Sequence, residues 1–253
     1  MEKDNLKRVL ELEKKLTGID HNGTESERGH IIKKGTAPVL ISAMVGVKHE
    51  RRIEGEIQKN SAHIYTASLA EEVSRKARTS SIIKTKHLKS DISKLTNEEY
   101  KKDIIRFIQR ENICFFMDLR GSIKNQKSGI IIGDGEEEYI YGNTEFREKT
   151  KELFESFGIS VKFSPSCQAK KYSAPANFVF QTTKVPSVQL LINKDLRNPK
   201  QDLHSFIMLS DALTAYSLLA LKYFNNKNLE TDVEVVEAYV NETNELYKES
   251  SKL

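Results

Sequence analysis

Apolar positions along this chain fall into two patterns, short continuous runs and stripes at helical spacing, and the two alternate. Leu6, Val9, Leu10, Leu12 and Leu16 recur on one helical face, which predicts an amphipathic N-terminal helix over about residues 4–17 that packs on its own domain or on a partner. "TESERGHIIKKGTAPV" breaks that pattern with glycines and a proline, and "PVLISAMVGV" then reads as a buried strand ending at Gly46. The next stretch, "KHERRIEGEIQKN", reads as a charged loop.

Ile64, Ala67, Leu69, Ala70 and Val73 place "SAHIYTASLAEEVSRKA" on a helix, and "SIIKT" follows as a short strand. "TNEEYKKDIIRFIQREN" opens with a threonine cap and acids in its first turn, then presents Tyr100, Ile104, Ile105 and Ile108 as a helix face. The strand "ICFFMDL" comes directly after it. Further on, "SGIIIGDGEE" is a strand closed by a glycine turn, "TEFREKTKELFESFG" a helix ending at Gly158, and "ISVKFS" and "PSVQLLIN" two more strands. Two long helices, "LHSFIMLSDALTAYSLLALKYF" and "ETDVEVVEAYVNETNELYKES", close the chain.

Strands alternating with helices of this length predict an α/β fold, a single three-layer domain over residues 1–253 around a largely parallel, mixed sheet. No Pro/Gly/Ser-rich linker divides it. In such sheets ligands bind beyond the carboxyl ends of the strands, here Ala43–Gly46, Asp118–Gly121 and Leu191–Asn193.

Composition narrows the classes. With 40 basic and 36 acidic residues the net charge is only +4, and no nucleic-acid reader motif is present, so nucleic acid is not expected as a partner. From Met44 to Ser90, however, ten Lys/Arg stand against five Glu, a local bias that suits an anionic ligand. The two cysteines, Cys114 and Cys167, build no disulfide framework. A charged N-terminus and the absence of an eighteen-residue apolar run predict a cytoplasmic protein that does not cross a membrane. Ser251-Lys252-Leu253 spell a peroxisomal address, which acts only in a eukaryote; a Lys-rich tail is the plainer reading.

At the predicted strand ends four segments carry a resemblance. These are "VLISAMVGVKHERRIEGEI", "AHIYTASLAEEV", "FFMDLRGS" and "VPSVQLLINKDLRNP". They resemble, in order, the Pro-His-Gly and His-x-x-Arg segment, the acidic segment leading into a helix, the Asp-Leu-His-Gly segment and the Val-Gln-Leu-Glu-Ile-Asn segment with its downstream Arg-Asn-Pro of the N-formylglutamate amidohydrolase family. Those are zinc enzymes of metallocarboxypeptidase-like fold. The resemblance spans Val39 to Pro199 and implies that fold, amide-bond hydrolysis and a zinc site.

The departures fall on the chemistry. Val45 stands where the family has its first histidine ligand, His63 where it has an acidic ligand, and Arg120 where it has its last histidine; Leu191 replaces the carboxylate that acts as general base. A catalytic zinc needs about three N or O donors and an open position for water. Valine offers no lone pair and a guanidinium repels a cation. No metal or other cofactor is therefore expected, and no catalytic residue is assigned.

What remains is a set of candidate binding residues, His49, Arg52, Asp118, Arg120, Gln189 and Asn193, suited to a small acidic or amide ligand or a protein tail. His49 and Arg52 match the family's His-x-x-Arg, in which a guanidinium clamps a carboxylate. Gln189, Leu191 and Asn193 share one face of an extended strand. Arg120 either takes over the charge of the missing metal and holds a ligand anion, or simply pairs with Asp118 or a nearby helix carboxylate.

Two other readings stay open. One is a working amidohydrolase whose metal is held by other residues, with His49 and His63 as first candidates and Asp118 as a residue that could meet them in space. The other is a structural or regulatory subunit, forming a homo-oligomer or binding a protein partner through its terminal helices. No Gly-x-Ser-x-Gly elbow or phosphate-binding glycine loop occurs.

Overall fold

Four parallel strands carry the centre of the fold, and their order explains where the polar residues collect. The computed structural model describes residues 2–25, 29–53, 56–87, 99–122, 129–164 and 174–225. The strands are β1 (His30–Lys33), β2 (Ala37–Ala43), β3 (His49–Ile53), β4 (Glu56–Asn60), β5 (Thr79–Lys84), β6 (Phe115–Gly121), β7 (Ile130–Gly133), β8 (Val161–Phe163) and β9 (Ser187–Ile192). The helices are α1 (Glu2–Thr17), α2 (Thr66–Ala77), α3 (Glu99–Glu111), α4 (Thr144–Ser156), α5 (Pro175–Thr183), α6 (Lys194–Arg197) and α7 (Leu203–Phe224).

Seven strands form one mixed sheet in the order β1-β5-β2-β6-β9-β7-β8. β5, β2, β6 and β9 run parallel, β1 and β7 run antiparallel to their inner neighbours, and β8 is parallel to β7. The alternation of a pleated strand sorts side chains onto two faces. Val39, Ile41, Phe115, Met117, Leu119, Val188 and Leu190 pack with α2, α4 and α7, whereas Leu40, Ile82 and Phe116 pack with Tyr100, Ile104, Phe107 and Ile108 of α3. The result is the expected single α/β domain in three layers.

α7 is buried along most of its length, and Tyr216 and Phe224 pack on Phe115 with ring centroids 6.0 and 5.3 Å away. Among the described helices it alone is long and apolar enough to cross a membrane, a property shared by core helices such as this one. The apolar face of α1 is also spent internally: Val9 and Leu16 are buried in the same core as α2 and α7.

Three local expectations need correction. "KHERRIEGEIQKN" is a β-hairpin, β3 pairing with β4 so that His49 faces Asn60 and Arg52 faces Ile57. With Ile53 and Ile57 as its only large apolar residues, the segment has no alternation from which strands could be read. "HIIK", read as part of a broken stretch, is edge strand β1, too short to show periodicity without its partner β5. The helix at "PANFVFQTT" was not anticipated, although Pro175 at its first turn is a start signal. Cys167, Thr96 and the second C-terminal helix, "ETDVEVVEAYVNETNELYKES", lie outside the described residues.

Candidate functional site

On the α3 side of the sheet, apolar side chains give way to polar ones as the parallel strands reach their carboxyl ends. Leu40 is followed on that face by Ser42, and Phe116 by Asp118 and Arg120. Strand register sets Ile82, Ser42, Asp118, Gln189 and Gly133 in one row across five strands, and Arg120, Leu191 and Ile131 in the next. The polar cluster is thus a product of pairing, since its members are far apart in sequence.

Asp118 is fully buried, and both carboxylate oxygens are engaged. Ser42 Oγ donates to Oδ1 at 2.8 Å, and Arg120 Nε donates to Oδ2 at 2.6 Å. A buried carboxylate is costly unless paired and hydrogen-bonded, and here it is both. The Ser42 hydroxyl is also 3.0 Å from that of Tyr100, which donates to the Ile82 carbonyl at 2.8 Å. Burial pushes the Tyr100 phenol far above its ordinary pKa, so it remains a protonated donor. Arg120 is 8% exposed, and among the described residues its terminal nitrogens have no hydrogen-bond partner.

One residue on, Gly121 joins this cluster to a second. Its backbone N–H donates to His63 Nδ1 at 3.1 Å, while the His63 N–H donates to the Val45 carbonyl at 2.8 Å. In a neutral imidazole whose Nδ1 accepts, the proton sits on Nε2, so neither nitrogen has a lone pair left for a cation. Histidines that bind metals show the reverse arrangement, donating through the nitrogen that does not touch the metal.

Arg197 packs against Gly121 so closely that a Cβ there would stand 2.4 Å from Arg197 Cζ. Only glycine admits that approach. Arg197 is 3% exposed; it donates through Nη1 to the Ile64 carbonyl and through Nη2 to the Ser122 carbonyl, the latter at 3.0 Å. Its Nε is buried and has no hydrogen-bond partner among the described residues. Desolvation lowers its pKa to about 10, opposed by the charge of Glu13.

Glu13 comes from α1 and is buried. Its Oε1 accepts the Tyr65 N–H at 2.6 Å and its Oε2 the Ser68 N–H at 2.9 Å, so it caps α2 from outside. His21 Nδ1 stands 3.4 Å from the same Oε1. Burial raises the Glu13 pKa against the opposing pull of the Ser68 hydrogen bonds.

The sequence-derived residues therefore separate. Asp118, Arg120, Gln189 and Leu191 share neighbouring rows of one face, with Gln189 buried. Arg120 pairs with Asp118 through Nε. Asn193 lies just past β9, and its side-chain oxygen accepts from the Asp195 N–H at 3.2 Å as the N-cap of α6. His49 is buried at the start of the β3–β4 hairpin. Arg52 is in the same strand, with its side chain outside the described part. Ser42, Tyr100, Glu13 and Arg197 were not singled out from sequence as site residues. Among the described residues no three His, Cys, Asp or Glu side chains are grouped to hold a metal ion.

Solved structures of low sequence identity share this fold. Gene product Atu2144 from Agrobacterium tumefaciens superposes with a TM-score of 0.51 at 9% identity, over 79% of this chain and 97% of that one. An N-formylglutamate amidohydrolase from Ralstonia eutropha JMP134 aligns at 0.47 and 12% identity, over 78% and 99% of the two chains. A bacteriophage poly-gamma-glutamate hydrolase aligns at 0.48 and 14% identity, over 76% and 90%. At these identities the likeness is one of fold. No protein-family model and no curated protein matches the chain.

Proposed function

We propose that this chain is a catalytically degenerate relative of the zinc-dependent N-formylglutamate amidohydrolases, and that its cleft binds a small carboxylate or amide ligand without hydrolysing it. The observation that carries this reading is the buried Asp118, whose two oxygens are taken by Ser42 and Arg120. A metal at that carboxylate has to displace a guanidinium held at 2.6 Å and then sit beside its positive charge. The other positions fit zinc no better. The Val45 side chain has no donor atom, and the Nδ1 of His63 is occupied by the Gly121 N–H; Leu191 stands where the general base would be.

Without a metal or a carboxylate base, water near neutral pH is neither ionised nor relieved of its proton. Binding asks for less. The terminal nitrogens of Arg120 suit a planar carboxylate, with Gln189 in the neighbouring row to meet an amide. His49, Arg52 and Asn193 remain candidate binding residues on the sequence pattern alone.

The test is calorimetric titration of succinate and N-acetylglutamate into the purified chain, run beside a hydrolysis assay on the acylated compound. Binding without turnover is expected, and it disappears in the Asp118→Asn/Arg120→Met double variant, which removes both charges together. Turnover, or binding indifferent to that variant, contradicts the proposal.

A further inference from the structure

Across the sheet from the row that holds Asp118, four buried polar atoms gather without hydrogen bonds. Gly133 is paired with Gln189 of that row, and Asp134 follows it toward the face on which Ile130 and Ile132 pack with α4 and α7. Asp134 is 1% exposed, and Thr150 of α4 and Tyr216 of α7 are wholly buried. Asp134 Oδ2, Thr150 Oγ1, Tyr216 Oη and Arg147 Nε have no hydrogen-bond partner among the described residues.

Three observations bring these atoms to one place. Arg147 Nε stands 3.4 Å from Asp134 Oδ2, near enough for an ion pair but too far for a good N–H···O bond. Phe146, Thr150 and Phe154 recur every four residues on one face of α4, and the Tyr216 ring lies 5.7 Å from the centroid of the first and 5.4 Å from that of the last. Thr150 is thereby held against the tyrosine, between the two phenylalanines. Finally, burial pushes the Tyr216 phenol far above its ordinary pKa, the charge of Asp134 adds to that push, and the Thr150 hydroxyl opposes it. Both groups therefore act on the phenol at short range, yet neither is hydrogen-bonded to it.

We infer that Asp134, Arg147, Thr150 and Tyr216 form an internal binding site for one water molecule, which joins the end of β7 to α4 and α7. Unpaired buried polar atoms are costly, and native interiors satisfy them with protein or with ordered water. A water brings two donors and two acceptors and makes about three bonds to groups of this kind. Here it donates to Asp134 Oδ2 and Thr150 Oγ1 and accepts from the Tyr216 hydroxyl and Arg147 Nε. A monovalent cation is disfavoured by the guanidinium 3.4 Å from the carboxylate, and a chloride by the carboxylate itself. The site lies on the other face of the sheet from Arg120 and does not depend on the function proposed above.

A crystal structure of the full chain that shows ordered water is the direct test. Water density is expected within about 3.2 Å of Asp134 Oδ2 and of the Thr150 and Tyr216 hydroxyls. Hydroxyls bonded to each other or to Asp134 with nothing between them overturn the site, as does density that refines as a cation or a chloride. In solution, oxygen-17 relaxation dispersion counts waters held for longer than the protein takes to tumble. Thr150→Val/Tyr216→Phe removes two of the four partners and is expected to lose about one such water per chain relative to wild type. An unchanged count overturns the site. If the double variant does not fold, the wild-type crystal structure decides alone.

Discussion

Arg120 Nε lies 2.6 Å from Asp118 Oδ2, two residues back on the same strand, so the guanidinium is tied along β6. In a strand, residues two apart share a face, and Asp-x-Arg is the shortest spacing at which a carboxylate and a guanidinium meet there. Removing one partner leaves a buried charge. Arg120→Met is expected to lower unfolding free energy by about 3–5 kcal/mol, and Asp118→Asn/Arg120→Met by clearly less than the sum of the single changes. Urea unfolding of the four proteins in this cycle measures it; additive losses would mean that the pair is not coupled.

The Ser42 hydroxyl has a charged acceptor, whereas that of Tyr100 has a neutral one. Ser42→Ala is accordingly expected to cost about 1–3 kcal/mol and Tyr100→Phe about 0.5–1.5 kcal/mol. Because the two oxygens are 3.0 Å apart, the double variant should fall short of additivity. Chemical denaturation checks both the ranking and the coupling.

Much of this architecture was legible in the chain. "PVLISAMVGV", "ICFFMDL" and "PSVQLLIN" are continuous apolar runs because their strands are buried on both faces, and they became β2, β6 and β9. The clustering of Ser42 with Asp118 was not legible, because it depends on the β2–β6 register, which no local pattern encodes. Glu13 is a different case. It sits three residues after Leu10 and three before Leu16, inside the apolar stripe of α1, and an acid at that position on a helix is a sign of burial against a partner. Arg197 stood in the Arg-Asn-Pro that carried part of the resemblance, but its contact with Gly121 needed the fold to appear.

Burial and the Ser68 hydrogen bonds act in opposite senses on Glu13, and burial prevails, so its pKa is raised in the folded chain. A raised carboxyl pKa contributes stability below the ordinary glutamate value of 4.5, and that contribution is lost as pH rises through the folded value. Glu13→Gln, which lacks this titration amid Tyr65, His21 and Arg197, should therefore gain stability relative to wild type as pH rises above 4.5. Thermal melts of both proteins across that interval give the sign; an advantage that shrinks with rising pH contradicts it.

Glu72 on α2 behaves oppositely. Burial would raise its carboxyl, but Arg8 of α1, bonding both oxygens at 2.8 and 2.9 Å, and Arg75 at 2.8 Å hold it down at about 2. That stability is present above the ordinary value of 4.5 and is lost as pH falls towards 2. Both arginines are about half exposed, so solvent screening discounts the contribution to about 1–2 kcal/mol. Glu72→Gln should remove a matching part of the acid dependence, and loosen α1 as seen by hydrogen exchange.

The most direct measurement is a calorimetric titration of zinc into the wild-type chain, with Asp118→Asn and His63→Ala as controls. No stoichiometric site is expected in the wild type and no change in either variant, because the Asp118 oxygens and the His63 Nδ1 are already bonded within the protein. Tight one-to-one zinc binding that both substitutions abolish would contradict it.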